Sequence, residues 1–408
     1  MTDERKCAAV NNTVKWIWAQ QLFGAGTLRA HKVLTEYGTP AELLELPYSR
    51  LMNDSFFTEE EKKAIASPDF SQAEKILEES ELFGAVVLTP DSAEYPESLR
   101  NIHSMPMALY TVGDVSLLNE HYLVSMVGTR NPDEYGIAAA KKLSGEIASL
   151  GGIVVSGLAY GIDGACHRAA LEAGGRTIAF IAGGLDLDYP KKHHALRALI
   201  ERPENGLVVS EYPLTTQAYA SNFPMRNRLI SGVSMATVIV ECSKTGGTML
   251  TAAHAITQNK DLFAVPASIL SEIGAGCNYL LTQGAEPAVS GADILLRYVD
   301  IYGYPLEPVH GRQTSLFSDD PEEAKPTEKK PREKTAEPKK VKAIEIPQFL
   351  NEEQQAVMKL IAEESMNVSE LCERVSIPAG EALALITQLE LFGLVKMMPG
   401  RIVKCCIS

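Results

Sequence analysis

The sequence has 408 residues and no apolar run approaching the roughly 20 residues that a membrane-spanning helix needs. Its first ten residues are charged and lack the apolar core of a secretory leader. Seven cysteines are scattered without a Cys-x-x-Cys pair. An odd, unpaired set suits a reducing compartment better than a disulfide framework. These absences predict a cytoplasmic protein with no membrane-embedded part.

Familiar catalytic signatures are missing as well. There is no G-x-x-x-x-G-K-[ST], which argues against a P-loop ATPase. The first strand-to-helix turn lacks G-x-G-x-x-G, so dinucleotide binding has little support. Ser156 has no G-x-S-x-G context. His167, His193 and His194 lack cysteines or carboxylates at metal-ligand spacing, and Cys166-His167 reads as part of a buried helix face. Neither a cofactor nor a metal is expected. An excess of positive charge is missing too: the net charge is −14. Bulk attraction to duplex DNA is therefore excluded, and a nucleic-acid reading must rest on a local cluster of cations.

What is present is a 45% hydrophobic share, enough for a sizeable core and two or three domains in this length. Residues 1–80 read as helical, with Trp16, Ile17, Leu22 and Leu34 at helical spacing. Phe23-Gly24-Ala25-Gly26-Thr27-Leu28 followed by residues 30–37 reads as a helix-hairpin-helix. Such a hairpin can offer backbone N–H groups to a DNA phosphate, but a small packing or partner domain is the favoured reading.

From residue 81 to about 305 the pattern alternates short apolar strands with helices. Strands are expected at 85–88, 122–127, 152–155, 177–181, 206–210, 237–240 and 261–265. The predicted fold class is α/β, a doubly wound, Rossmann-like parallel sheet covered on both faces. Residues 306–347 are rich in Pro, Lys and Glu and read as a disordered charged linker. Residues 348–408 read as three helices and a hairpin, a winged helix. Its recognition helix, expected at 379–392, carries Glu381 and Glu390 and no Lys or Arg. That is a poor major-groove reader, and a protein-contact module is the better reading.

In an open α/β sheet, ligands bind beyond the carboxyl ends of the strands. The turns there are consistent with one another. Gly128-Thr129-Arg130 follows the first strand. Ser156-Gly157-Leu158-Ala159-Tyr160-Gly161-Ile162-Asp163 follows the second, with Asp163 placed to cap the next helix. Ala182-Gly183-Gly184 and then Tyr189-Pro190-Lys191 follow the third. After the fourth come Glu211 and the turn Phe223-Pro224-Met225-Arg226-Asn227-Arg228. After the fifth come Lys244 and Gly246-Gly247-Thr248. Glycine-rich helix starts present backbone N–H groups to anions, and Arg130, Lys191, Arg226, Arg228 and Lys244 supply charge. Phe223 and Tyr189 are candidates for base stacking. Several phosphate sites in a row suit a polymer, bound with little sequence preference and strong salt dependence. Arg226 and Arg228 could instead brace the rim against Glu211 or Glu241.

Together these residues, with His167, Ile230-Ser231-Gly232 and Met249-Leu250-Thr251-Ala252, resemble the DprA (Smf, DNA-processing protein A) family. Tyr95-Pro96, Leu99, Ile102 and Leu109-Tyr110 fit its connector, so the likeness covers roughly residues 95–285. The helical region ahead resembles the family's sterile-alpha-motif-like or hairpin domain, and the last unit resembles its winged helix. The resemblance implies a protein that is not an enzyme. It would bind and protect incoming single-stranded DNA in natural transformation, help load the RecA recombinase, and form a homodimer through the α/β core. It implies DNA contacts at Gly128 to Arg130, Lys191 and Arg226. Three positions depart from the pattern: Cys166 for alanine, Gly246 for serine, and Ala267 for the glycine after Pro266. The helix after Asn278 and the sheet edge near Asp261 are candidate assembly surfaces. The alternative is a nucleotide phosphoribohydrolase of the LOG-like group, whose glycine-rich turn is similar to Gly246-Gly247-Thr248. That mechanism needs an acid three residues after the threonine, and Thr251 stands there.

Overall fold

A computed structural model describes residues 10–309 and, beyond them, 352–363, 366–375, 382, 385–386, 389, 394–398 and 402–405. The linker expected from 306 lies outside the described residues from 310 onward, as does most of the expected helix 379–392. The chain forms two compact units, Met1–Pro321 and Glu322–Ser408.

Among the described residues the first unit begins with six helices, α1 (Asn12–Phe23), α2 (Leu28–Tyr37), α3 (Pro40–Leu44), α4 (Tyr48–Asn53), α5 (Glu59–Ala66) and α6 (Ser71–Phe83). Four of them start on a side-chain cap. Asn11 accepts the Thr13 N–H and Thr27 the Ala30 N–H. Thr39 with Glu42, and Thr58 with Glu61, form reciprocal capping boxes. Each cap satisfies donors that a helix start leaves without an intrahelical partner.

The sheet then runs β1 (Val86–Leu88), α7 (Glu97–Arg100), β2 (Leu109–Gly113), β3 (Leu123–Gly128), α8 (Glu134–Ser149), β4 (Ile153–Ser156), α9 (Ile162–Glu172) and β5 (Thr177–Ile181). It continues with α10 (His194–Ile200), β6 (Gly206–Ser210), α11 (Asn222–Val233), β7 (Ala236–Glu241), α12 (Thr248–Thr257), β8 (Asp261–Ala264), α13 (Ala275–Thr282), β9 (Glu286–Pro287) and α14 (Gly291–Tyr302). The strand order is β1-β2-β6-β5-β4-β3-β7-β8-β9. Strands β3 to β9 pair in parallel, and β1 and β2 close one side in antiparallel register. The chain winds outward from β3 through β6, then returns to place β7 on the other side of β3. The switch point therefore lies between β3 and β7.

Alternation along each strand sets the layers. Ile153, Val155, Ile178, Phe180, Leu207, Val209 and Ile239 face one side, where Leu99, Leu229, Ile230, Val233, Ala252, Cys277 and Leu280 of α7 and α11 to α13 cover them. On the other side, Val124, Met126, Val154 and Val238 pack under α8, α9 and α14. Next to them Tyr110, Ala179, Ile181 and Val208 share one core with Trp16, Ile17, Phe23, Val33, Leu43 and Phe57 of the N-terminal helices. Those helices are thus a covering layer of the sheet.

Two features differ from the sequence reading. Phe223 to Arg228, expected as a turn, lies inside helix α11. Pro224 reads as a breaker, but in the first helical turn its missing N–H has no partner to lose. The edge near Asp261 is covered only in part: β9 pairs with β8 at Phe263 and Ala264, beyond Asp261 and Leu262.

The second unit contains α15 (Glu352–Glu363), β10 (Met366–Asn367), α16 (Val368–Val375), β11 (Val395–Met398) and β12 (Ile402–Cys405), with strand order β10-β12-β11. Val357, Met358, Ile361, Leu371, Ile386, Leu389, Val395 and Val403 form its core. The hairpin of the expected winged helix is present, and β10 adds a third strand.

Candidate nucleic-acid interface

The carboxyl ends of β3, β4 and β7 are tied together by backbone bonds. Thr129 N–H donates to the Glu241 carbonyl at 2.8 Å, and Ile162 N–H donates to the Thr129 carbonyl at 3.2 Å. Gly161 makes the second approach possible. Its φ is +76°, and a Cβ there would strike the Thr129 and Arg130 backbone. Gly157 is glycine for a different reason: a Cβ would collide with the Arg226 guanidinium.

An open cleft of about 380 Å³ lies at this junction. Gly128, Thr129 and Arg130 line it from the β3 turn, Phe223, Arg226 and Asn227 from α11, and Gly246, Gly247 and Thr248 from the start of α12. Arg130 continues into a small adjoining recess with Gly157, Tyr160, Tyr189, Pro190 and Phe223. Nine of the sequence-predicted residues therefore share one concave surface, and Gly157 joins it through the recess. Lys191 and Lys244 are exposed beside it: Lys191 follows Pro190, and Lys244 sits between the cleft-lining Ser243 and Gly246.

Three helices that start at this rim have no side-chain cap, whereas α8, which follows the β3 turn, is capped by Asp133, the acceptor of the Gly136 N–H at 2.8 Å. The N-cap positions are Gly161 for α9, Ser221 for α11 and Gly247 for α12. At Gly247 the backbone is ordinary helix, and an added Cβ would meet no atom within 4 Å. Neither conformation nor packing demands glycine there. Its effect is to leave the start of α12 without a side-chain cap, with the positive end of the helix dipole behind it; the Met249 and Leu250 N–H groups donate to the Gly246 and Gly247 carbonyls.

Phe223 gathers the cations. Arg130 lies 4.8 Å from its ring centroid, Arg226 lies 5.9 Å away, and Tyr189 meets it edge-on at 6.1 Å. Arg130 is exposed, whereas Arg226 is buried. Arg226 donates to the carbonyls of Gly157, at 2.6 Å, and of Phe180. Burial pulls its pKa down to about 10, partly offset by the charge of Asp163, so it remains a cation at neutral pH.

Asp163 is the only carboxylate among the described residues lining the cleft. The expected capping position is instead Gly161, and Asp163 sits in the first turn of α9. From there it faces back to the Ala159 N–H at 3.4 Å. Burial raises its pKa, and Arg226 and nearby hydrogen bonds oppose the rise. Glu241 is also buried, but it points to the α8 start, where it accepts the Asp133 N–H at 3.1 Å. Burial pushes its pKa up to about 7, against the favourable Asp133 N–H.

Two predicted residues have other employment. Ser156 is fully buried and donates its hydroxyl to the Met126 carbonyl at 2.6 Å. Arg228, two positions from Arg226 and so on the opposite side of α11, makes a buried ion pair with Glu211 at 2.6 Å. It also donates to the carbonyls of Ser104 and Met225. Burial raises the Glu211 pKa, while Arg228 and the Gly26 N–H favour its charged form. A Cβ at Gly26 would lie 2.8 Å from Arg228 Nη2. The turn of the N-terminal hairpin is thus seated on this ion pair. His167, fully buried beside Thr177 at 2.7 Å, has its pKa lowered by burial to about 3 and is neutral.

The sequence reading did not single out Cys242 and Ser243 as cleft residues, although both follow β7 directly. The register shift between Val127 and Gly128, which brings Gly128 opposite Glu241, leaves no sequence signal.

A doubly wound sheet with an aromatic cleft carrying Arg130 and Arg226 at its switch point defines a Rossmann-like protein. Comparison with known families then narrows the class. The model of the DNA recombination-mediator protein A family matches residues 86–299, just over half the chain, and the DprA winged-helix model matches residues 336–401. The chain belongs to the DNA recombination-mediator protein A (DprA/Smf) family. It is 39% identical over 203 residues to the DNA processing protein DprA of Bacillus subtilis, covering 50% of this chain and 68% of that one. It is 31% identical over 352 residues to the protein Smf of Synechocystis, covering 80% and 81%. The X-ray structure of DprA from Streptococcus pneumoniae aligns with a TM-score of 0.57 and 28% identity, over 71% of this chain and 94% of that one.

Proposed function

We propose that this protein binds single-stranded DNA along the rim formed by the β3, β4 and β7 turns. The observation that carries this is Arg130, exposed and stacked on Phe223 at the mouth of a cleft walled by uncapped helix starts. Cations and free N–H groups recognise phosphates, and an accessible aromatic face recognises bases without regard to sequence. Arg130, Lys191, Lys244 and the Gly246-Gly247-Thr248 turn make the direct contacts in this reading, Arg226 supplies charge from beneath, and Ser156 and Arg228 hold the framework. As a family member the protein protects incoming strands in natural transformation and helps load RecA, acting in the cytoplasm as a homodimer without catalysing a reaction. Among the described residues no helix is long and apolar enough to cross a membrane. The winged helix serves as a protein-contact module.

The test is binding of oligo-dT across a salt series. Tight binding with a steep negative salt slope is expected, by about 0.7 per phosphate contact. No binding at low salt would sink the reading. The hydrolase alternative predicts release of free base from AMP. What disfavours it is Thr251, a buried hydroxyl in the cleft at the position where that mechanism needs a carboxylate.

A further inference from the structure

Cys242 follows β7 directly, and Cys277 lies in the first turn of α13. Both side chains are buried, and their sulfurs are 3.9 Å apart. Gly276 N–H donates to the Cys242 carbonyl at 2.8 Å, so the two segments are already joined beside the sulfurs. A disulfide needs about 2.05 Å between sulfurs, so the pair must close by roughly 2 Å. Cys242 lines the cleft, which gives a small solute a route to the pair. The residues after it lead through Lys244 into the Gly246-Gly247-Thr248 turn. Its thiol hydrogen bond favours the thiolate on Cys277.

We propose that Cys242 and Cys277 form a disulfide when hydrogen peroxide enters the cleft, and that the bond weakens binding of a single strand by re-seating the turn at residues 243–248. The second half rests on the function proposed above. The Cys277 thiolate attacks one peroxide oxygen. The O–O bond breaks, and the leaving hydroxide takes up the thiol proton as water. The Cys242 sulfur then displaces the hydroxyl from the Cys277 sulfenic acid, and that hydroxyl leaves with the Cys242 proton as a second water. The two thiols lose two electrons in total and the peroxide gains them. The approach of the sulfurs draws Cys242 away from the cleft wall, and the N–H groups of the adjoining turn move with it.

The experiment treats the full chain with peroxide, blocks remaining thiols with N-ethylmaleimide and maps the peptides. The expected product is a cross-linked pair containing Cys242 and Cys277, lighter by two hydrogens. Oligo-dT affinity should fall about tenfold, near 1.4 kcal/mol, and return with dithiothreitol. Cys277→Ala should bind oligo-dT like the reduced wild type and be indifferent to peroxide. Absence of the cross-link in the folded wild type, with both thiols alkylated, would overturn the proposal. Equal affinities of the cross-linked and reduced forms would overturn its coupling to the cleft. If reduced wild type binds no oligo-dT, the proposed function fails, and the peptide map still decides whether the disulfide forms.

Discussion

The N-terminal helices and the helices that line the cleft treat their first turns differently. In the N-terminal layer four of six starts are closed by Asn11, Thr27, Thr39 and Thr58. At the rim, α9, α11 and α12 start at Gly161, Ser221 and Gly247 without a side-chain cap. A cap contributes about 1 kcal/mol, so the rim forgoes stability that the covering layer takes. The same contrast holds for charge. Where the N-terminal hairpin meets α11, Arg228 is spent on Glu211 and Gly26 is pressed against the pair. At the cleft, Arg130 stays exposed. The covering layer closes most of its helix starts with side chains, whereas the cleft combines internally bonded groups such as Arg226 with an exposed Arg130.

Breaking the internal side of this contrast should have the largest effect. Arg228→Ala leaves Glu211 buried without its partner, and unfolding in urea should show a loss of about 3–5 kcal/mol. Oligo-dT affinity of the folded fraction should hardly change; a large affinity loss would return Arg228 to the binding surface. Arg130→Ala should do the reverse. Its melting temperature stays near wild type, while affinity falls about tenfold at low salt and the salt slope becomes shallower by about 0.7.

Thr58→Ala removes a capping box and should cost about 1 kcal/mol of stability, with oligo-dT titrations unchanged. Glu241 offers a pH test. Its pKa of about 7 in the fold exceeds the ordinary carboxylate value. The fold therefore prefers the protonated acid, and that contribution is complete below the unfolded pKa. It is lost as pH rises through the interval up to about 7, beyond which the penalty is constant. Glu241→Gln should flatten this decline when denaturation midpoints are compared from pH 5 to pH 8. The smallest change in stability belongs to Gly247→Ala. The site is helical and open, so stability should hold or rise by about 0.4–1 kcal/mol. A drop in affinity in that variant would show that a strand lies on the turn.

Much of this contrast was legible in the chain. Short apolar strands of the parallel sheet read correctly because burial on both faces leaves continuous runs such as Thr177–Ile181. The Gly128, Gly157 and Gly246 turns read correctly because Brändén's rule converts strand order into position. Helix α11 was missed because Pro224 looks like a breaker until its place in the first turn is known. With α11 missing, Arg226 and Arg228 looked equivalent, although the helical period sends them to opposite sides. The exchange of Asp163 for Gly161 at the α9 cap, the inner strand β2 and the edge strand β9 depend on long-range pairing that local patterns do not carry.

The sheet ends in very short strands on both sides, three residues at β1 and two at β9. A strand that brief offers too few free backbone groups to template a neighbour. Edges this short disfavour extension of one continuous sheet from copy to copy. Contacts made through side chains on helices and loops can instead be substituted without disturbing the strand register on which the cleft depends.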